Sequence, residues 1–396
     1  MVFQWLQNLG AEVTNWNKQL QWLLLNQQAT QLSNQGKYAE AIIIAQQALN
    51  LALSLYQSDH PDVATSLNNL AELYRHQGRY EQAKPLYEDA LAMRKRLFPG
   101  NHPDVATSLN NLALLYYHQG RYEQAEPRLE EALAMFKRLF QGYHPLVATS
   151  LNNLAELYGS QGRYEQAEPR LEEALAMFKR LFPGNHPDVA LSLNNLAALY
   201  RSQGRYELAE PRYEEALAMT KRLFQGDHPD VATSLNNLAA LYDSQGRYEQ
   251  AKPLFEEALV MRKRLFQGDH PDVAQSLNNL ALPYHFQGRY EEAEPRYKEA
   301  LAMRKRLFEG DHPDITTSLN NLALLLTKTD RPTEALELMK QATEVEDKII
   351  SRVFGFSSER DRLAHLERNR ATFYLLLSLV LNHLQDSPTA VQTALD

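Results

Sequence analysis

The sequence predicts an all-helical solenoid of stacked helix pairs, and three observations carry that prediction. A His-Pro pair returns every 42 residues, at His60, His102, His144, His186, His228, His270 and His312. Self-similarity at such a period marks an array whose units bury their apolar faces only against their neighbours. Each block also contains two stretches of helical apolar spacing, and a glycine turn such as Gly78-Arg79-Tyr80 separates them. A chain of 396 residues would ordinarily divide into two or three domains; an array with shared cores is one long domain.

Residues 1–21 are expected to form an N-terminal capping helix, 22–348 an array of eight units, and 349–396 a helical extension. Trp5, Trp16 and Trp22 all precede the first turn, where they are expected to cover the open end of the stack. The first unit is degenerate: Gly36, Tyr38, Ala41, Ala48 and Leu49 keep the frame, while Gln28 stands at a leucine position. In the second unit, Val63, Leu67, Leu70, Ala71 and Tyr74 predict an amphipathic helix A from Pro61 to about His76. His60 precedes a proline, avoids the helical region and becomes the N-cap, with Pro61 at the first helical position. Gly78 ends helix A with a positive φ. Helix B follows on Ala83, Leu86, Tyr87, Ala90, Leu91 and Leu97, with acids early and bases late, as the helix dipole favours.

The eighth unit starts at Pro313 and exchanges the Gly-Arg-Tyr turn for Asp330-Arg331-Pro332. Pro283, at a helix A position held elsewhere by leucine, predicts a kink. Beyond the array, Ser358 to Asp361 reads as a capping box opening a helix to about Leu384, and Ser387-Pro388 as a second start. The last start leaves barely two turns before Asp396, so the natural chain is expected to continue.

Composition narrows the function. The net charge is −8, with bases answered by acids within the same helix, so no basic face for nucleic acid is expected. Zero Cys excludes disulfides, thiolate zinc sites and a cysteine nucleophile, and fits a cytoplasmic location. The first 25 residues carry one Lys and polar interruptions, unlike a signal peptide. The longest apolar segment, Phe373–Leu381, is shorter than the roughly 20 residues a bilayer requires; no membrane partner is expected. The periodic His sit a helix pair apart, about 10 Å or more, too far to share a metal. No dinucleotide or phosphate-loop glycine pattern occurs. Neither cofactor nor enzymatic activity is expected.

The spacing Leu67, Leu70, Ala71, Tyr74, Gly78, Tyr80, Ala83, Tyr87, Ala90, Leu91 resembles the tetratricopeptide repeat, lengthened by eight residues over the usual 34. The HPDVA start, the LNNLA core and the GRYEQAEP stretch are similar to repeats of kinesin light chains and their bacterial relatives. The resemblance implies a right-handed superhelix whose A helices line a concave groove. The stretch FGFSSERDRLAHLERNRATFYLLLSLVL resembles the connector between such arrays and a caspase-like CHAT domain. That resemblance implies an alternative role, the sensing arm of a larger protease whose catalytic residues lie beyond Asp396.

Comparison among the repeats themselves points to a binding face. The first Asn of each LNNLA core is constant: Asn68, Asn110, Asn152, Asn194, Asn236, Asn278 and Asn320. Four residues on, the chain varies through Glu72, Leu114, Glu156 and Ala198. Three further, it varies through Arg75, Tyr117, Gly159, Arg201, Asp243 and His285. A constant amide ladder beside variable side chains suits an extended peptide or protein segment: amides hold its backbone and the variable positions select its side chains. The competing reading has the amides bonding adjacent A helices, above all the second Asn of each pair, such as Asn69 and Asn111.

Overall fold

His60 stands in extended backbone (φ −146°, ψ 141°) and its Nδ1 accepts the Asp62 amide at 3.2 Å, so helix A begins at Pro61. The other six periodic His cap their helices the same way. Most also stack on the aromatic residue ending the preceding helix B, as His228 does on Phe224 with centroids 3.4 Å apart. Capping and stacking account for the histidine period. Among the described residues, no group of three or more His, Asp or Glu could hold a metal ion.

The computed structural model describes residues 2–308, 311–354, 372, 374–384, 387 and 390, with the side chains of residues 1–14 and 350–354 outside the description. The chain runs α1 (Val2–Asn34), α2 (Tyr38–Leu55), α3 (Pro61–His76), α4 (Tyr80–Leu97), α5 (Pro103–His118), α6 (Tyr122–Leu139), α7 (Pro145–Ser160) and α8 (Tyr164–Leu181). It continues α9 (Pro187–Ser202), α10 (Tyr206–Leu223), α11 (Pro229–Ser244), α12 (Tyr248–Leu265), α13 (Pro271–Phe286), α14 (Tyr290–Leu307), α15 (Pro313–Lys328) and α16 (Pro332–Phe354). The last helix, α17, is Tyr374–His383. No strand occurs among the described residues. The fold is the all-α helix-pair solenoid that the 42-residue frame predicts.

Two compact units divide the chain: Met1–His118 with Gln124–Gln141, and Gln119–Glu123 with Gly142–Asp396. In the first unit, Trp22 donates its indole N–H to Ser66 Oγ at 2.7 Å and packs on the core of Ala41, Ala45 and Leu49. It therefore closes the end of the stack, while Trp16 is largely exposed and Trp5 lies outside the described side chains. Helix α1 runs unbroken through the expected boundary at residue 22. Helix α2 has the length and mean hydropathy, 1.2, of a membrane span, a segment the sequence reading passed over. Its alanine stripe is buried in the same core as Val63 and Leu67 of α3.

In the second unit, surface charges pair both along one helix, as Lys298 does with Glu294, and across repeats. Lys179, Lys221 and Lys263 reach Glu215, Glu257 and Glu299 at 2.8–3.0 Å, and Arg205 and Arg247 reach Glu168 and Glu210. Exposed pairs of this kind contribute little individually; their constant interval of 36 or 37 residues shows the register between neighbours.

The altered eighth turn keeps its shape. Asp330 adopts φ 57°, the left-handed region that the turn glycines occupy near 71–73°, and Asp tolerates it better than most side chains. Helix α13 continues through Pro283 to the same 16-residue length as its equivalents. In the extension, the Ser358–Asp361 capping pattern lies outside the described residues. Ser387 Oγ accepts the Ala390 amide at 3.3 Å, in keeping with the second start.

Candidate functional site

Each helix A carries its constant Asn immediately after a core leucine, and the helix angle turns that amide toward the neighbouring repeat. Asn68, Asn110, Asn152, Asn194 and Asn278 are only 4–8% exposed, and Asn236 and Asn320 are half-buried. These amides are thus largely withdrawn from solvent. Asn68, Asn236 and Asn278 bond between repeats in one orientation, and Asn152 and Asn194 in another.

The orientation follows the residue that helix B supplies to the same interface. Arg94, Arg262 and Arg304 donate to Ser108, Ser276 and Ser318 of the next helix A at 2.7–2.9 Å. With those hydroxyls taken, Asn68, Asn236 and Asn278 turn their carbonyls outward and accept from the second Asn of the next repeat. The partners are Asn111, Asn279 and Asn321, at 2.9–3.0 Å. Where helix B supplies Phe178 or Thr220 instead, the next serine is open. Asn152 then donates to Ser192 and Asn194 to Ser234, both at 3.3 Å. The Oδ1 atoms of Asn152 and Asn194 are left buried without a hydrogen-bond partner.

Both ends of the ladder are occupied from within. Asn26, one period before Asn68, accepts from Asn69 at 3.0 Å and extends the ladder into the degenerate first unit. The 42-residue offset could have found it, although the missing leucine at Gln28 hid the frame. At the other end Asn320 donates to Thr372 of the extension at 2.6 Å, and Thr372 donates to Glu346 at 2.6 Å. Burial pushes the Glu346 carboxyl up to about 7. Asn320 is therefore engaged by the chain itself.

The variable positions lie on the same helices and diverge in environment. Arg75 bonds Glu72 at 3.2 Å and His118 at 2.9 Å, and the hydrogen bond from His76 holds the Glu72 carboxyl below its ordinary value. Tyr117 is half-buried with its ring edge-on to His118. In the second unit, burial lifts the Asp243 carboxyl from 3.8 to about 6 even though the Arg201 charge opposes the rise. Asp243 Oδ1 has no hydrogen-bond partner. His285 is buried beside the rings of Tyr290 and Tyr297, and desolvation, followed by the Lys328 charge, lowers its pKa. Glu156 is exposed.

One depression brings ladder and variable positions together. Asn152, Glu156 and Gly159 of α7 line it with Leu171 of α8 and Asn195 and Ala198 of α9, around a volume of about 320 Å³. Here the helix A faces of α7 and α9 share one depression. The remaining predicted positions are distributed along successive A helices, not gathered into one cavity.

A helix-pair array with such a face is a scaffold by class, and sequence comparison places it more closely. The tetratricopeptide repeat model matches residues 20–96, 104–180, 188–264, 244–306 and 272–346: the chain belongs to the tetratricopeptide repeat family. No curated protein matches it. Among solved structures, it is similar to a kinesin light chain with nearly identical TPR-like repeats from Podosopora anserina. Identity there is 25%, over 53% of this chain and all of that one, with TM-score 0.44. It is also similar in fold to the Rap conjugation gene regulator of plasmid pLS20 in complex with the Phr* peptide. That match has 16% identity, covers 85% and 98% of the two chains and has TM-score 0.57. A Rap protein complexed with Competence and Sporulation Factor matches at 14% identity over 94% and 99%, with TM-score 0.56.

Proposed function

We propose that this chain is a scaffold that binds an extended peptide or protein segment along its helix A face. The observation that carries the reading is the shared depression, where the variable positions Glu156 and Gly159 and the ladder residue Asn152 meet the equivalent face of α9. Recognition falls mainly to the variable side chains, because the ladder amides are largely spent between repeats. Asn68, Asn110, Asn152, Asn194, Asn236 and Asn278 shape the face; Glu72, Arg75, Tyr117, Glu156, Arg201, Asp243 and His285 give each repeat its own chemistry. The pLS20 Rap regulator, of the same fold, is solved with a peptide, which accords with this reading. The partner is a protein rather than nucleic acid, given the net charge of −8, and the cysteine-free chain suits a reducing cytoplasm.

Photo-crosslinking tests this directly. A photoreactive residue replacing Glu156 or Ala198 should capture the natural partner, whereas one replacing exposed Ala176 of α8 should not. Capture from Ala176 alone would move the binding surface away from helix A.

A further inference from the structure

The depression in the second unit exists because two side chains are small at once. The groove position that is Gly159 in α7 is Arg75, Tyr117, Arg201, Asp243 or His285 in other repeats. Beneath it, the helix B position is Leu171 in α8 but Tyr87, Tyr213, Phe255 or Tyr297 elsewhere, and Leu129 where Tyr117 stands above. His285 and Tyr297 fill the equivalent space with rings 6.2 Å apart. Among the six repeats from Pro61 to Phe308, only the one containing α7 and α8 pairs glycine with leucine.

Neither backbone nor packing calls for that glycine. Gly159 is helical and has no positive φ, unlike the turn glycines. An added Cβ would meet only Leu199 Cδ1, at an ordinary 3.5 Å. At the penultimate position of α7 the glycine leaves the space above Leu171 open.

The chemistry of the lining selects an occupant. Leu171, Ala198 and Leu199 supply apolar wall, Glu156 puts a carboxylate on the exposed rim, and none of the lining residues is cationic. Asn152 lines the same space, nine-tenths buried, and its Oδ1 has no hydrogen-bond partner because its amide nitrogen is turned to Ser192. Among these lining residues, the buried polar atom without a partner, Asn152 Oδ1, is an acceptor. A long side chain with an aliphatic stem and several donors at its tip satisfies both wall and acceptors, and the planar guanidinium has five.

We infer that this depression is the anchor subsite of the peptide-binding face and takes an arginine side chain of the bound segment. The inference rests on the helix A reading above and adds the side chain that the face selects. The stem lies on Leu171 and Leu199, and the guanidinium reaches toward Asn152 Oδ1 and Glu156.

The test uses the full chain and two kinds of probe. A fluorescent heptapeptide of Ala and Ser with a central Arg should bind about tenfold tighter, by anisotropy, than the same peptide with norleucine, as expected for charge-assisted hydrogen bonds. Lysine at that site should fall between. Gly159→Tyr and, separately, Leu171→Tyr reproduce residues found at these positions in other repeats, and each should abolish the preference while leaving the helical circular dichroism unchanged. Agmatine, a free guanidinium on an aliphatic stem, should shift the amide resonances of Gly159 and Leu199 in the unaltered chain and in neither variant. Equal binding of the Arg and norleucine peptides would overturn the subsite and leave the helix A reading standing. Agmatine causing no shift would overturn the subsite whether or not any peptide binds.

Discussion

The interface between α8 and α9 and the interface between α12 and α13 share a backbone plan and opposite chemistry. In the first, Phe178 is buried and stacks on Phe182 with centroids 6.2 Å apart. In the second, Arg262 occupies the same repeat position, equally buried. It donates to Ser276 Oγ at 2.9 Å, to the Asp272 carbonyl at 3.1 Å and to Thr233 at 3.2 Å, while its Nε has no partner. Desolvation lowers the Arg262 pKa, with Asp272 opposing the fall. One position therefore tolerates an aromatic ring or a guanidinium, provided that the serine across the interface finds another donor. The difference teaches that the constant amide ladder is slaved to a variable residue on the other helix: the identity at 178 or 262 decides which way Asn152 or Asn236 turns.

The largest expected effect breaks the apolar interface. Phe178→Ala removes a buried ring whose space the rigid helix pairs cannot close, and about 3–5 kcal/mol should be lost in chemical denaturation. A loss under about 1 kcal/mol would show that the repeats are coupled mainly by polar contacts.

Asp243 sharpens the contrast: Arg262 finds acceptors for its guanidinium, whereas the half-buried Asp243 carboxylate has no donor for its Oδ1. Its folded pKa of about 6 lies above the ordinary 3.8, so the folded state holds the proton more tightly than the unfolded state. Stability should be fullest below pH about 4, fall between about 4 and 6, and remain reduced above that. Asp243→Asn should accordingly stabilise the chain at pH 7, by at most about 3 kcal/mol, and the gain should vanish at low pH. Melting temperatures of both proteins across this range check the sign; a gain independent of pH would assign the effect to packing.

The smallest thermodynamic effect belongs to Arg262→Met, yet it is the most specific. An apolar chain of similar length removes an incompletely bonded buried cation, so stability should change by about 1 kcal/mol or less, in either direction. Ser276 then loses its donor, and Asn236 should turn to donate to it, as Asn152 does to Ser192. A new cross-repeat contact between the Asn236 side-chain amide and Ser276 in NMR would mark the turn. An amide still bonded to Asn279 would show that the second Asn, not the arginine, sets the orientation.

The helix pairs, their caps and their turns were legible in the sequence because each depends on neighbours a few residues away. His60 caps Pro61, Gly78 reverses the chain, and leucines three and four apart share one face. Repetition then extended one reading to the whole array. The candidate face was legible only in part. The variable series at Arg75, Arg201 and Asp243 could be read from the period, but the fate of the ladder amides could not. Spacing of 40 or 43 residues, from Asn152 to Ser192 or Asn236 to Asn279, acquires meaning only when the next helix A packs beside the first. Likewise Gly159 and Leu171 are separate small residues in the chain, 12 positions apart. Local hydrogen bonding and helical periodicity are properties of short segments, and the sequence by itself determined them. Which polar atoms find partners, and where two small side chains open one space, are properties of surfaces in contact, and only the tertiary structure decided those.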